Sequence, residues 1–137
     1  MERIRFLLSR DDWYHQRGYW VVARILSDAG VEVILGGIQT PEEIVQTAVH
    51  EDADIIGYRL MDASPPVVCE ILFDELRKRG LEEIPVVVGG IVSEKDEKLI
   101  KEMGVKEVFR PFDSFEKIQE RVKALVQKTG KRENPKN

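Results

Sequence analysis

The chain has 137 residues, enough for one domain with a sizeable core and too few for two ordinary ones. With 42% hydrophobic and 34% charged residues it reads as a soluble globular protein, and its net charge of −4 argues against a general nucleic-acid surface. It has no apolar run of about eighteen residues for a membrane span and no signal-peptide pattern, and its single cysteine excludes an internal disulfide or an all-cysteine metal cage. The expected compartment is the cytoplasm.

The first apolar run, "IRFLL" at 4–8, predicts a buried strand, followed by a loop over 9–18. Val21, Val22, Ile25, Leu26 and Ala29 then make one apolar helix face that stops at Gly30. "VEVIL" at 31–35 is a second strand, with a loop over 36–40. Thr40-Pro41-Glu42-Glu43 is a capping box with proline at the first helical position, opening a helix with Ile44, Val45, Ala48 and Val49 on one side. "DIIGY" at 54–58 is a third strand, and its loop spans 58–65. Val68, Ile71, Leu72 and Leu76 make the next helix face, with Cys69 an inert core thiol, and Gly80 ends it. "IPVVV" at 84–88 is the fourth strand, with a loop over 89–93. Ser93 caps a helix carrying Leu99, Ile100 and Met103, which ends at Gly104. "KEVF" at 106–109 is the fifth strand, and its loop covers 110–114. Ser114 caps the last helix, with Phe115, Ile118, Val122 and Leu125 inward and Gly130 at its end. The domain is expected to span 1–127, and the polar tail 128–137, "KTGKRENPKN", to be frayed.

Strand and helix alternate five times. This predicts an α/β fold, a flavodoxin-like five-stranded parallel sheet of order 2-1-3-4-5 with helices on both faces. Such sheets bind ligands beyond the carboxyl ends of their strands, where strands 1 and 3 lie side by side. The loop after strand 1 reads "RDDWYHQRGYW", and a loop that only turned the chain would use small residues. It holds two acids, four aromatic rings and His15, one of two histidines in the chain. An imidazole at that edge can ligate a metal through one nitrogen if a partner fixes the other.

Three long stretches go further: "WYHQRGYWVVARILSDAGVEVILGG", "QTPEEIVQTAVHEDADIIG" and "VVVGGIVSEKDEKLIKEMGVKEVF". Together, from Arg3 to about Val126, they resemble the cobalamin-binding domain of the methylmalonyl-CoA mutase family in its stand-alone small-subunit form. That family's first motif is D-x-H-x-x-G, of which His15 and Gly18 are retained. The resemblance implies that His15 becomes the lower axial ligand of cobalt. It implies that Gly18 opens space for the displaced nucleotide tail, and that Gly89 and Gly90 let the tail pass close to the backbone. It further implies adenosylcobalamin as cofactor and a separate, barrel-type large subunit that holds an acyl-CoA substrate. The small chain would have no catalytic activity alone, and could itself form homo-oligomers.

The chain departs from the family at the site. Trp13 stands where the family's aspartate precedes the histidine by two, so Asp12 or Asp11 would have to reach from a shifted position. Arg59 stands about where the family has a serine after strand 3, with Met61 two residues on, and Phe112 lies in what should be a Gly-Pro-Gly turn. Trp13, Arg59 and Phe112 are all larger than the residues they replace, and are expected to converge on the tail's channel and fill it. Asp12, Trp13, Arg59, Met61 and Phe112 therefore join His15, Gly18, Gly89 and Gly90 as candidate cofactor-contacting positions.

Two other classes compete. Receiver domains share the sheet order, and Asp11, Asp12 and "GVKEVFRPFDSFEKI" echo them, but the phosphate acceptor, five residues after Asp54, is Arg59. An arginine cannot form an acyl phosphate. The second is an interaction or regulatory module whose Trp13 and Tyr14 dock a partner. The sequence leaves open whether cobalamin is bound at this loop or the groove is filled by the chain's own aromatics. It holds no Ser-His-Asp, HExxH, P-loop or dinucleotide motif.

Overall fold

The computed structural model describes residues 3–129. Strands and helices alternate as β1 (Arg5–Arg10), α1 (Gln16–Asp28), β2 (Glu32–Ile38), α2 (Pro41–His50), β3 (Ile55–Leu60), α3 (Pro65–Lys78), β4 (Val86–Gly90), α4 (Glu94–Met103), β5 (Glu107–Phe109) and α5 (Phe115–Thr129). Every strand pair is parallel, and the order across the sheet is β2-β1-β3-β4-β5. This is the flavodoxin-like arrangement that the alternation predicts. Of the expected polar tail 128–137, Lys128 and Thr129 still belong to α5 rather than to a frayed end, and the remainder, with the Gly130 cap, lies outside the described residues. Among the described residues no helix is long and apolar enough to cross a membrane.

Successive strand residues face opposite sides of the sheet, so a run apolar at every position feeds two cores. Leu7, Ile56, Val86 and Val88 pack with Ile44, Leu72 and Ile100 under α2, α3 and α4. Phe6, Leu8, Ile55 and Val87 pack with Leu26, Ile118 and Val122 under α1 and α5. Helix starts follow their caps. Thr40 Oγ1 accepts from the Glu43 N–H at 3.2 Å while Glu43 Oε1 accepts from the Thr40 N–H at 2.8 Å. Ser93 and Ser114 accept from the N–H groups of Asp96 and Lys117. Cys69 is fully buried, and burial pushes its thiol up to about 12, as an inert core position requires.

The strands run further toward their carboxyl ends than the apolar runs predict. Ser9 and Arg10 belong to β1, Arg59 and Leu60 to β3, and Gly89 and Gly90 to β4. Apolar residues mark only where both faces are covered, whereas the ladder needs only backbone groups and continues past them. The site residues expected on loops at 59, 89 and 90 are therefore held as last rungs of a sheet.

On the α1/α5 face, Gly57 of β3 and Gly89 of β4 contribute no side chain. A cavity of about 280 Å³ remains there between Val21, Val22 and Ile25 of α1 and Ile118 and Val122 of α5. The two adjacent glycines of β4 differ in kind. Gly90 has φ +106°, and a Cβ there would overlap the Leu60 carbonyl, whereas a Cβ on Gly89 would meet only the Phe109 carbonyl oxygen at 3.6 Å. Gly90→Ala should lower the unfolding free energy by about 2–4 kcal/mol and Gly89→Ala by about 1 kcal/mol or less, measured by urea denaturation. Equal losses would contradict the distinction.

Candidate functional site

The loop between β1 and α1 is organised by its two carboxylates. Asp11 accepts three backbone N–H bonds from the loop after β3: from Met61 at 2.9 Å, Asp62 at 3.0 Å and Ala63 at 2.7 Å. Its own N–H donates to the Arg59 carbonyl at 3.2 Å. Asp11 thus ties the ends of β1 and β3 together and fixes the loop that bears Met61.

Asp12 turns the other way and is 3% exposed. Its Oδ2 lies 2.5 Å from His15 Nδ1, and its Oδ1 is buried with no hydrogen-bond partner. Burial pushes the Asp12 carboxyl up, but its bonds to the His15 ring and to the backbone of Tyr14 and His15, with the charge of His15, pull harder, and the net shift is downward. An ionised carboxylate can only accept, so Nδ1 carries the proton and Nε2 is left with its lone pair in the neutral ring. Nε2 has no hydrogen-bond partner among the described residues, and the His15 side chain is 49% exposed. The family spacing puts the aspartate two residues before the histidine; here it is three, and the anchor still forms.

Arg59 connects this loop to the groove. From the end of β3 its Nη1 donates to the His15 carbonyl at 2.8 Å, and its guanidinium lies over Gly18, where a Cβ would overlap it. A side chain at position 18 would thus have to push the Arg59 guanidinium aside. Arg59 also lines the mouth of the apolar cavity, together with Arg17, Arg110 and Pro111. Arg110 is already neutralised, since it donates to the Val92 carbonyl at 2.6 Å and pairs with Glu97.

The structure brings Asp12, His15, Gly18 and Arg59 together, sets Met61 beside them on the clamped loop, and places Gly89 and Gly90 along the groove. Trp13 and Phe112 behave otherwise. They are 71% and 82% exposed and line no part of the cavity, so the expected filling of the channel by three large residues does not occur. Their loops leave the strand ends pointing outward, and volume turned to solvent blocks nothing. The sequence reading passed over Asp11 as a clamp, Gly57, and Arg10. Gly57 had a readable signal, because a glycine inside a strand often marks a close approach. Arg10 and the clamp had none, since both depend on pairing across strands.

These residues fit a corrinoid. One imidazole nitrogen is anchored and the other is free at the rim, as a histidine that would ligate a metal needs. Beside it opens an apolar cavity near the lower end of the size range of small-molecule sites, about 300–1,000 Å³. Comparison with known proteins agrees. Residues 7–118 match the family model of the B12 binding domain. The 2-hydroxyisobutanoyl-CoA mutase small subunit of Aquincola tertiaricarbonis is 38% identical over 119 residues, covering 86% of this chain and 88% of that one. The pivalyl-CoA mutase small subunit of Xanthobacter autotrophicus is 40% identical over 116 residues, covering 84% and 78%. Among solved structures, a cobalamin-binding protein from Desulfitobacterium hafniense superposes with a TM-score of 0.74 at 18% identity, over 90% of this chain and 59% of that one, a likeness of fold. With a family model matched over residues 7–118 and small-subunit relatives matched over more than three quarters of their length, the chain belongs to the B12-binding domain family.

Proposed function

We propose that this chain is the cobalamin-binding small subunit of an acyl-CoA carbon-skeleton mutase, working with a large, barrel-type subunit that holds the substrate. The observation that carries this reading is the His15 imidazole, fixed at Nδ1 by buried Asp12 and free at Nε2, beside an open apolar groove. When bound, adenosylcobalamin supplies the radical chemistry. The chain's own work is to present an oriented ligand and to take up the displaced tail. Asp12 sets the tautomer and ring angle of His15. Asp11 keeps β1 and β3 in register at the groove's mouth. Gly89 leaves room for a flat ring between α1 and α5, while Gly57 makes room for the Phe6 ring that lines the same groove. Trp13, Tyr14, Ile91, Phe112 and Phe115, all more than half exposed, come from loops and a helix start at the carboxyl end of the sheet. They supply the apolar surface that a corrin ring and the large subunit would cover.

His15→Ala should fold normally and abolish the spectrum of cobalamin ligated by imidazole in a titration with hydroxocobalamin; the same spectrum in the variant would remove His15 as the ligand. Asp12→Asn should keep that spectrum and weaken affinity about 10- to 100-fold, since a misoriented ligand still binds. An unchanged dissociation constant would sink the anchoring role. Gly89→Leu, at a position where a Cβ makes only an ordinary contact with the Phe109 carbonyl oxygen, should block cobalamin binding while leaving the circular dichroism spectrum intact. Full binding by Gly89→Leu would place the tail elsewhere.

A further inference from the structure

Arg10 and Arg59 are register partners on β1 and β3, so their side chains leave the same face of the sheet next to each other. Arg10 is 8% exposed, and its Nε and Nη1 have no hydrogen-bond partner. Its guanidinium stacks 4.8 Å from the centre of the Tyr19 ring, which is locked by bonds from its hydroxyl to the Leu8 carbonyl and from the Gly37 N–H. Arg59 is half-buried, and one nitrogen is committed to the His15 carbonyl. Among the described residues no carboxylate forms an ion pair with either arginine, whereas Arg110 nearby has Glu97. Two neighbouring cations, one buried and without a hydrogen-bonded partner, are unfavourable unless an anion completes them. Asp11 and Asp12 lie near enough for their charges to favour that of Arg59, but among the described residues neither is hydrogen-bonded to either arginine, and the Nε and Nη1 donors of Arg10 stay unmet.

We propose that Arg59, backed by Arg10, binds the phosphodiester of the cobalamin nucleotide tail, so that this site selects corrinoids by their phosphate. The inference rests on the cobalamin reading above. The corrin amides are neutral, and the phosphodiester is the anionic group of the nucleotide arm. That arm joins a corrin held at His15 to a base housed in the groove, and Arg59 is bonded to the His15 carbonyl and also lines the groove. A guanidinium donates in a planar fork that suits phosphate oxygens. A small polar residue at position 59 would offer the tail a hydrogen bond but no charge.

The test compares hydroxocobalamin, cobinamide phosphate and cobinamide, the last two differing only in the phosphate. Dissociation constants are read from absorbance and tryptophan fluorescence for the wild type, Arg59→Gln, Arg59→Lys and Arg10→Gln. The wild type should prefer cobinamide phosphate to cobinamide by about 10- to 100-fold, the value of a charge-assisted bond or two. Arg59→Gln should erase that preference, read as the ratio of the two dissociation constants, with an unchanged circular dichroism spectrum as its folding control. Arg59→Lys should keep part of the preference, and Arg10→Gln should reduce it. Equal weakening toward all three corrinoids would make Arg59 a loop support and overturn the proposal, while the cobalamin reading stood. A preference that survives in Arg59→Gln would place the phosphate elsewhere. Wild type that binds no corrinoid would overturn the cobalamin reading together with the inference.

Discussion

Two adjacent carboxylates at the end of β1 hold the site together, and they act in opposite directions. Asp11 gathers three backbone N–H groups from the loop after β3. Asp12, buried, takes the imidazole of His15. A strand end is an open set of backbone donors and acceptors, and the loops beyond it have many conformations available. Charge-assisted bonds from fixed carboxylates narrow these to one. The histidine's position is thereby referred to β1 and β3, two neighbouring interior strands of the sheet. The same pair answers why a loop of this length carries so much charge: one acid fixes the frame and the other fixes the ligand.

Beyond that frame the site divides by polarity. The groove between α1 and α5 is walled by aliphatic side chains and floored by glycines, while its mouth carries guanidinium groups. A ligand suited to it would be flat and apolar at one end and anionic where it emerges. The exposed aromatics stand apart from both regions. They lie on the outer side of the same strand ends, on a surface whose natural cover is another molecule.

Much of this was legible in the sequence, for identifiable reasons. Strand order followed from five βα repeats, because crossover handedness leaves few alternatives. The helix starts at Thr40, Ser93 and Ser114 were legible because caps act over three residues. His15, Gly18 and the glycine pair were found by resemblance to a family. What failed was the direction of side chains on loops. Trp13 and Phe112 were counted as volume inside the channel because sequence gives size but not orientation. The aspartate anchor looked displaced because a spacing of three was judged against a motif of two, although a loop can absorb one residue without moving its ends. Contacts across strands, such as Arg10 beside Arg59, carry no local signal and emerge only once the register is known.

The overlap between Arg59 and Gly18 has a consequence for how such a site can change over time. A side chain at position 18 would meet the tip of a flexible arginine, which can swing aside, so the cost falls on what that tip is holding rather than on the backbone. What it holds is the carbonyl of His15. A change at the start of α1 would thus be felt at the loop that presents the imidazole, and the two positions would be expected to drift together rather than one by one.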